Sequence, residues 1–226
     1  MAPTDRFAGR FAGHFADRRE AGRLLAEAVA RQAPADPVVL ALPRGGVPVA
    51  YEVAKKLSAP LDLLLVRKIG APGHEEYGIG ALVDGAHPHI VIDEARARAV
   101  GADPDYIQHE VARQLAELER RRKAYARAMP VPLAGRTAIV VDDGIATGGT
   151  VRAALQALRK SAVGRIILAV PVAPADAVHE LSTLCDAVVC LATPEPFYAV
   201  GAHYADFTQT SDAEVIDLLA AAAGWS

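Results

Sequence analysis

The chain reads as an α/β protein, a mainly parallel sheet flanked by helices on both sides, with a smaller C-terminal segment. Three observations predict this. Short apolar runs of strand length alternate with helical patterns along most of the chain, as right-handed crossovers require. Several runs are apolar at consecutive rather than alternate positions, which indicates burial on both faces. No Ser/Gly-rich or Pro-rich linker divides the 226 residues, 52% of them hydrophobic, so a single domain over 1–226 is expected.

The elements follow in order. An N-terminal arm and helix occupy 1–36. The arm, MAPTDRFAGRFAGHFADRREAGRLL, lacks the continuous apolar core of a secretory signal. Its Phe7, Phe11 and Phe15 recur at the spacing of one helical face and suit a docking arm. Ala/Leu/Val spacing predicts a helix over Asp17–Gln32 with Asp17 as N-cap. Strands are expected at Val38–Leu42, Leu61–Val66, His89–Ile92, Thr137–Val141, Arg165–Val170 and Ala187–Leu191. Helices are expected at Val47–Leu57, Asp103–Met129, Gly149–Ser161 and Pro174–Leu184. The long one has Asp103 as cap, Pro104 in the first turn, and a thin seam of Val111, Leu115, Leu118 and Tyr125. The tail, 192–226, has a mixed pattern that ends in a short helix near Asp212–Ala222.

Bulk properties exclude several function classes. The formal net charge of −3 gives no footing for nucleic acid or an anionic membrane. The run ERRRKAYAR reads as a solvated helix face, because acids on the same helix dilute its charge. No apolar run approaches the roughly 18 residues of a membrane span. Cys185 and Cys190 are too few for a disulfide framework and suit a reducing cytosol, so a cytoplasmic protein is expected. The His87/His89 pair reads as surface groups. Hydrolase motifs of the G-x-S-x-G or H-E-x-x-H kind do not occur.

The segment AIVVDDGIATGGT, Ala138–Thr150, carries the chemistry. Ligands of open parallel sheets bind beyond the carboxyl ends of strands. AIVV therefore delivers Asp142 and Asp143 to the edge of a cleft, and the small-residue loop turns into a helix near Gly149. Such a turn aims backbone N–H groups outward, and the helix start adds about half a positive charge. A phosphate monoester suits Ala146, Thr147, Gly148, Gly149 and Thr150, with the threonine hydroxyls as further donors. The two acids cannot grip that phosphate. They suit neutral hydroxyls, or a hydrated Mg²⁺ shared with the ligand. Phosphate and diol together describe ribose 5-phosphate. A P-loop would need Gly-Lys-Ser/Thr where the chain has Gly148-Gly149-Thr150. A dinucleotide fingerprint would need G-x-G-x-x-G where it has Pro43-Arg44-Gly45-Gly46.

This stretch resembles the phosphoribosyl-diphosphate signature of type I phosphoribosyltransferases. The resemblance implies that LPRGG, where Arg44 offers a fork for phosphate oxygens and Gly45 and Gly46 expose main-chain N–H groups, is the diphosphate loop. Such loops in the family often hold a cis peptide. RKIGAPGHEEYG resembles the family's flexible catalytic loop, most nearly that of the adenine-specific branch. It implies a lid over Gly70–Gly80, with Arg67 and Lys68 at its root, Lys68 on the diphosphate, and Glu75 or Glu76 as weaker candidates for catalytic acids. Ala146 stands where the hypoxanthine-guanine branch has an aspartate, which disfavours an oxopurine acceptor. The tail falls where the family places its hood over the base. Phe197 and Tyr198 are candidates to stack on a ring, and His203 and Tyr204 to bond to its edge.

The activity implied is transfer of 5-phosphoribosyl from phosphoribosyl diphosphate to a nitrogenous base, with Mg²⁺ as cofactor and a homodimer as assembly, the Asp103–Met129 helix offering a contact. Asp142, Asp143, Lys68 and Arg44 would be its catalytic groups. Two other readings stay open: a non-catalytic sensor of phosphoribosyl diphosphate or nucleotides, and a ribose-5-phosphate-handling phosphatase or phosphorylase.

Overall fold

The structure is a computed structural model that describes residues 14–84, 88–125 and 131–225. Its elements run α1 (Arg18–Ala30), β1 (Pro37–Ala41), α2 (Gly46–Leu57), β2 (Leu61–Leu63), β3 (Val66–Ala71), β4 (His74–Val83) and β5 (His89–Ile92). There follow α3 (Glu94–Ala99), α4 (Pro104–Ala124), β6 (Thr137–Val141), α5 (Gly149–Arg159), β7 (Arg165–Val172), α6 (Ala175–Ser182) and β8 (Ala187–Ala192). A 3₁₀ turn at Val200–His203, α7 (Asp212–Ala222) and a last turn at Ala223–Trp225 close the chain.

The main sheet is five-stranded and wholly parallel, in the order β2-β1-β6-β7-β8. Its strands are buried on both faces, as their unbroken apolar runs require. Val39 and Ala41 of β1, with Ile139 and Val141 of β6, face a core shared with α1, α2 and α7. Val38 and Leu40, with Ala138 and Val140, face α5 and α6. From β1 the chain steps to β2 on one side. From β6 it steps to β7 and β8 on the other. The reversal falls between β1 and β6, where Ala41 lies beside Val141; in open parallel sheets, ligands bind beyond the carboxyl ends of the strands at such a point.

A second, antiparallel sheet, β3-β4-β5, lies outside the sequence expectations. The run Leu61–Val66 reads as one strand but is divided between the two sheets. Leu64 N–H still donates to Ala41 of β1 at 2.9 Å, while Leu65 already accepts from Asp84 N–H at 2.8 Å. The run stays apolar because the chain passes from one core to the next. The expected lid is likewise regular: β3 and β4 form a hairpin turning at Pro72 and Gly73, and Gly73 takes φ +70°. Glycine in this stretch marks close packing as well as the turn, since a Cβ on Gly80 would lie 2.4 Å from the Val91 carbonyl of β5. His89–Ile92 is a strand, but of this sheet.

Other boundaries lie close to the sequence reading. Asp17 caps α1 and Asp103 caps α4, each accepting an N–H three residues on at 2.7 Å. Leu118 and Tyr125 of the α4 seam are buried in the main core. Phe15 is not on a helical face. It is extended and pairs with the tail, donating to His203 O and accepting from Ala205 N–H, both at 2.8 Å. Phe7, Phe11, His87 and Met129 lie outside the described residues. No helix among the described residues is long and apolar enough to cross a membrane.

Candidate functional site

Two loops leave the sheet at the reversal point and interlock. The first, 43–46, follows β1. Leu42 N–H donates to Val141 O at 2.9 Å, which fixes the loop to β6, and the Pro43–Arg44 peptide is cis. The second begins with Asp142 and Asp143 after β6. Gly45 meets these acids so closely that a Cβ there would lie 2.0 Å from Asp143 Oδ2. At Gly46 it would lie 2.8 Å from Val141 O. Only glycine permits this approach. The sequence assigns the glycine pair the task of exposing amides; the structure adds that the two loops occupy one contact.

The acids differ from each other. Asp142 turns back on the main chain, where Oδ1 accepts Asp143 N–H at 2.9 Å. Burial pushes its carboxyl well above the ordinary range, and the Asp143 charge adds to the push. Asp143 is held by a cation that sequence reasoning missed. Arg18, in the first turn of α1, donates through Nε to Asp143 Oδ2 at 2.7 Å. The same guanidinium lies 3.9 Å from the centre of the Phe207 ring and donates through Nη1 to Thr208 O at 2.7 Å. Tyr204 completes the enclosure, its hydroxyl donating to Asp143 O at 2.5 Å. Burial and the nearby Asp143 push that phenol upward.

Beyond the acids the loop is anchored by Ile145, whose N–H donates to Val172 O at 2.9 Å. It then opens: Ala146, Thr147, Gly149 and Thr150 are exposed. Gly148 caps α5 at φ +71°, and a Cβ on Gly149 would meet no atom within 4 Å. There is open space in front of the helix start, as an anion cradle needs.

The remaining candidates are distributed unevenly. Arg44 is half-buried, with Nη1 3.8 Å from Asp212 Oδ1 at the start of α7, where Tyr125 OH also donates at 3.0 Å. Arg67 and Lys68 are neighbours on β3 and so point to opposite faces. Arg67 faces α4 and donates through Nε to Gln114 Oε1 at 2.9 Å; burial and the neighbouring Arg121 lower its pKa. That network belongs to the packing of α4, not to the reversal point. Lys68 lines a cavity of about 460 Å³ between the small sheet and α5, together with Gly149, Thr150, Arg96 and Arg152. Glu75 and Glu76 fall within β4.

The aromatic candidates divide as well. Phe197 stacks on His203, ring centres 5.4 Å apart at 25°, and packs on the main core. Tyr198 is 83% exposed. Tyr204 is committed to Asp143 and His203 is buried beneath Phe197, so neither offers an edge to a base. The short tail peptide uses these rings to hold the arm and the acids together.

Among the described residues no three of His, Cys, Asp and Glu group to hold a metal ion. The donors that exist, Asp142 and Asp143, each already have one oxygen engaged. Such a set fits a divalent ion that brings most of its oxygen ligands with the substrate.

An open parallel sheet with two interlocked loops at its reversal point and an open helix start beside them defines an α/β protein of the doubly wound kind. The phosphoribosyl transferase domain model matches residues 16–204, so the chain belongs to that family. It is 47% identical over 207 residues to two Mycobacterium tuberculosis proteins, from strains CDC 1551 / Oshkosh and ATCC 25618 / H37Rv, that carry provisional names as phosphoribosyl transferases. The match covers 91% of this chain and 46% of each relative, so the chain spans about half their length. The crystal structure of TT1426 from Thermus thermophilus superposes with a TM-score of 0.80 at 44% identity, covering 91% of this chain and 97% of that one.

Proposed function

We propose that this domain transfers 5-phosphoribosyl from phosphoribosyl diphosphate to a nitrogenous acceptor and releases diphosphate. One observation supports the reading: Gly45 packs closely on Asp143 at the strand-order reversal, which brings the loop proposed for diphosphate beside the acid proposed for the ribose. In the reaction the C1–O bond to diphosphate breaks, the bonding pair leaves with diphosphate, and the acceptor nitrogen closes the new bond and loses its proton. Arg44 and Lys68 stabilise the charge that grows on the leaving group. Asp142 and Asp143 hold the ribose hydroxyls and set negative charge near the cationic ring. The cradle of 146–150 anchors the 5′-phosphate, so its binding energy goes into orientation. Magnesium, when bound with the substrate, supplies further charge neutralisation at the diphosphate.

Ala146 turns the acceptor away from oxopurines and towards adenine-like, pyrimidine-like or less usual bases. The two free thiols suit a cytoplasmic setting, and a homodimer built through α4 is the assembly proposed. The rival reading, a sensor that binds without turnover, draws on the engagement of Asp143 by Arg18.

Incubation with phosphoribosyl diphosphate, Mg²⁺ and a panel of bases separates the readings by product. A new nucleotide marks a transferase, free ribose phosphate alone marks hydrolysis, and saturable binding without turnover marks a sensor. Asp142→Asn together with Asp143→Asn is expected to abolish transfer while the fold survives. Undiminished transfer by that double variant would remove the roles given to the acids.

A further inference from the structure

Arg18 is the side chain in the site that the family resemblance did not supply. It reaches Asp143 across 125 positions of sequence, and its polar contacts go to that acid and to the tail that encloses it. Its side chain is 11% exposed and that of Asp143 15%, so the pair sits away from bulk water, where screening is weak. The guanidinium is fixed on three sides, by Asp143 Oδ2, by the Thr208 carbonyl and by the Phe207 ring. A planar fork held this way has little freedom left, unlike a lysine ammonium on the same stem.

The acid it holds is equally confined. Oδ2 lies against Gly45, the main-chain carbonyl accepts from Tyr204, and the main-chain N–H is given to Asp142. Arg18 thus engages Oδ2 and leaves Oδ1 as the oxygen it does not take. Two adjacent carboxylates at the end of one strand repel each other, and a cation on the outer one holds it against that repulsion. We propose that Arg18 is the positioning residue for Asp143: it fixes the rotamer in which the second acid receives a ribose hydroxyl, and through Phe207 and Thr208 it makes that rotamer depend on the tail. This rests on the reading of Asp143 as a ribose-gripping acid.

The consequence is selective. Loss of Arg18 should damage recognition of the sugar and leave the phosphate cradle alone, because the contacts of the guanidinium lie with Asp143, Phe207 and Thr208 rather than with 146–150. A purely structural role would instead weaken both. Ribose 5-phosphate and inorganic phosphate are the probes, titrated into the full chain and into Arg18→Met, Arg18→Lys and Phe207→Ala, each first shown to be folded by its thermal melt. Arg18→Met should weaken ribose 5-phosphate by about tenfold, the scale of one lost charge-assisted hydrogen bond, with phosphate unchanged. Arg18→Lys should restore part of the loss. Phe207→Ala, which keeps the arginine and removes its platform, should move the same way by a smaller factor. Combined with Arg18→Met it should add nothing further, since the two act through one contact.

Three results overturn the proposal. Equal weakening of both probes would make Arg18 a fold residue. Tighter ribose 5-phosphate on losing Arg18 would make it a latch that competes with the sugar. Additive effects of Arg18→Met and Phe207→Ala would separate the tail from the acid. If the unaltered protein binds phosphate but shows no preference for ribose 5-phosphate, the reading of the acids fails first, and this inference with it.

Discussion

The carboxyl edge of the parallel sheet and the small antiparallel sheet both contribute to the site, but in different ways. At the edge the groups around the acids are interlocked. Gly45 rests on Asp143, Asp143 on Arg18, Arg18 on Phe207, and each is shut in by the next. On the small sheet Lys68 is exposed, faces a cavity of about 460 Å³, and stands across from Gly149 and Thr150 rather than against them. The edge therefore holds geometry fixed and tolerates little change. The small sheet carries the Lys68 charge on an exposed side chain, while Ile69, Ala71 and Ile79 pack against α3 and α4 and Ala81 and Val83 join the core shared with α5. Mutations at the edge should move stability and binding together, and mutation of the exposed Lys68 on the small sheet should move binding alone.

Gly45→Ala is expected to have the largest effect. A methyl 2.0 Å from Asp143 Oδ2 forces the carboxylate away and breaks its pair with Arg18. Overpacking of this kind costs about 1–3 kcal/mol, and separating a buried ion pair costs more. Melting should fall clearly, and phosphoribosyl diphosphate affinity by roughly a hundredfold, two contacts each on the scale of a charged hydrogen bond. Calorimetry and a thermal melt on the same sample check both. A variant that lost affinity at an unchanged melting temperature would break the comparison.

The paired acids should part company next. The Asp142 carboxyl is raised, so its folded-state proton is favoured, and its contribution to stability is complete only below the unfolded value and is lost as pH rises through the folded one. Through this group, rising pH therefore weakens the fold. Asp142→Asn keeps an oxygen for Asp143 N–H and removes the charge, so it should raise the melting temperature while lowering affinity for the sugar. The gain should shrink as the pH is taken down. Asp143→Asn strips Arg18 of its partner and should lower stability by about 3 kcal/mol. Identical shifts for the two would mean that the edge does not distinguish them.

What the sequence made legible follows the same division. Thr137–Val141 and Asp212–Ala222 match the structure residue for residue, and the strand-loop-helix of Ala138–Thr150 reads directly, because local pattern and burial agree there. Arg18 left no such trace, and Tyr204 reads as a candidate for the base edge rather than as a partner of Asp143. Their meaning comes from tertiary contact across long loops, and neither lies in a motif. For Arg67 and Lys68, position in a sequence does not reveal which face of a strand a residue takes: Arg67 has the side toward α4 and Lys68 the side toward the cavity. The antiparallel sheet was hidden because its glycines, Gly70, Gly73, Gly78 and Gly80, read as loop punctuation when Gly78 and Gly80 permit tight strand packing.

Lys68→Ala tests the other half of the comparison. The side chain is exposed, so the change in stability should stay within about 0.5 kcal/mol. Affinity for phosphoribosyl diphosphate should fall by about tenfold, and affinity for inorganic phosphate by less, if the lysine meets the diphosphate end. A large loss of stability would show that the small sheet is as interlocked as the edge.

The smallest effect concerns the outer strand β8 and asks how far the rigidity of the parallel sheet extends. Burial pushes the Cys190 thiol up to about 12 and that of Cys185, just before β8, to about 11. Only the thiolate alkylates, so at pH 8 both should resist iodoacetamide in the folded protein and react at once in denaturant. The sign for stability follows from the raised values. The thiols favour the fold fully below the unfolded value of 9.0, and this is lost as pH climbs through about 11 and about 12. The contribution of the thiols, read as the difference from a variant with both replaced by serine, should therefore hold level to about pH 9 and decline above it. Rapid labelling of Cys190 at pH 8 without denaturant would mean that β8 opens from β7 in the native protein. The rigidity would then belong to the β1–β6 junction alone, and not to the sheet that carries it.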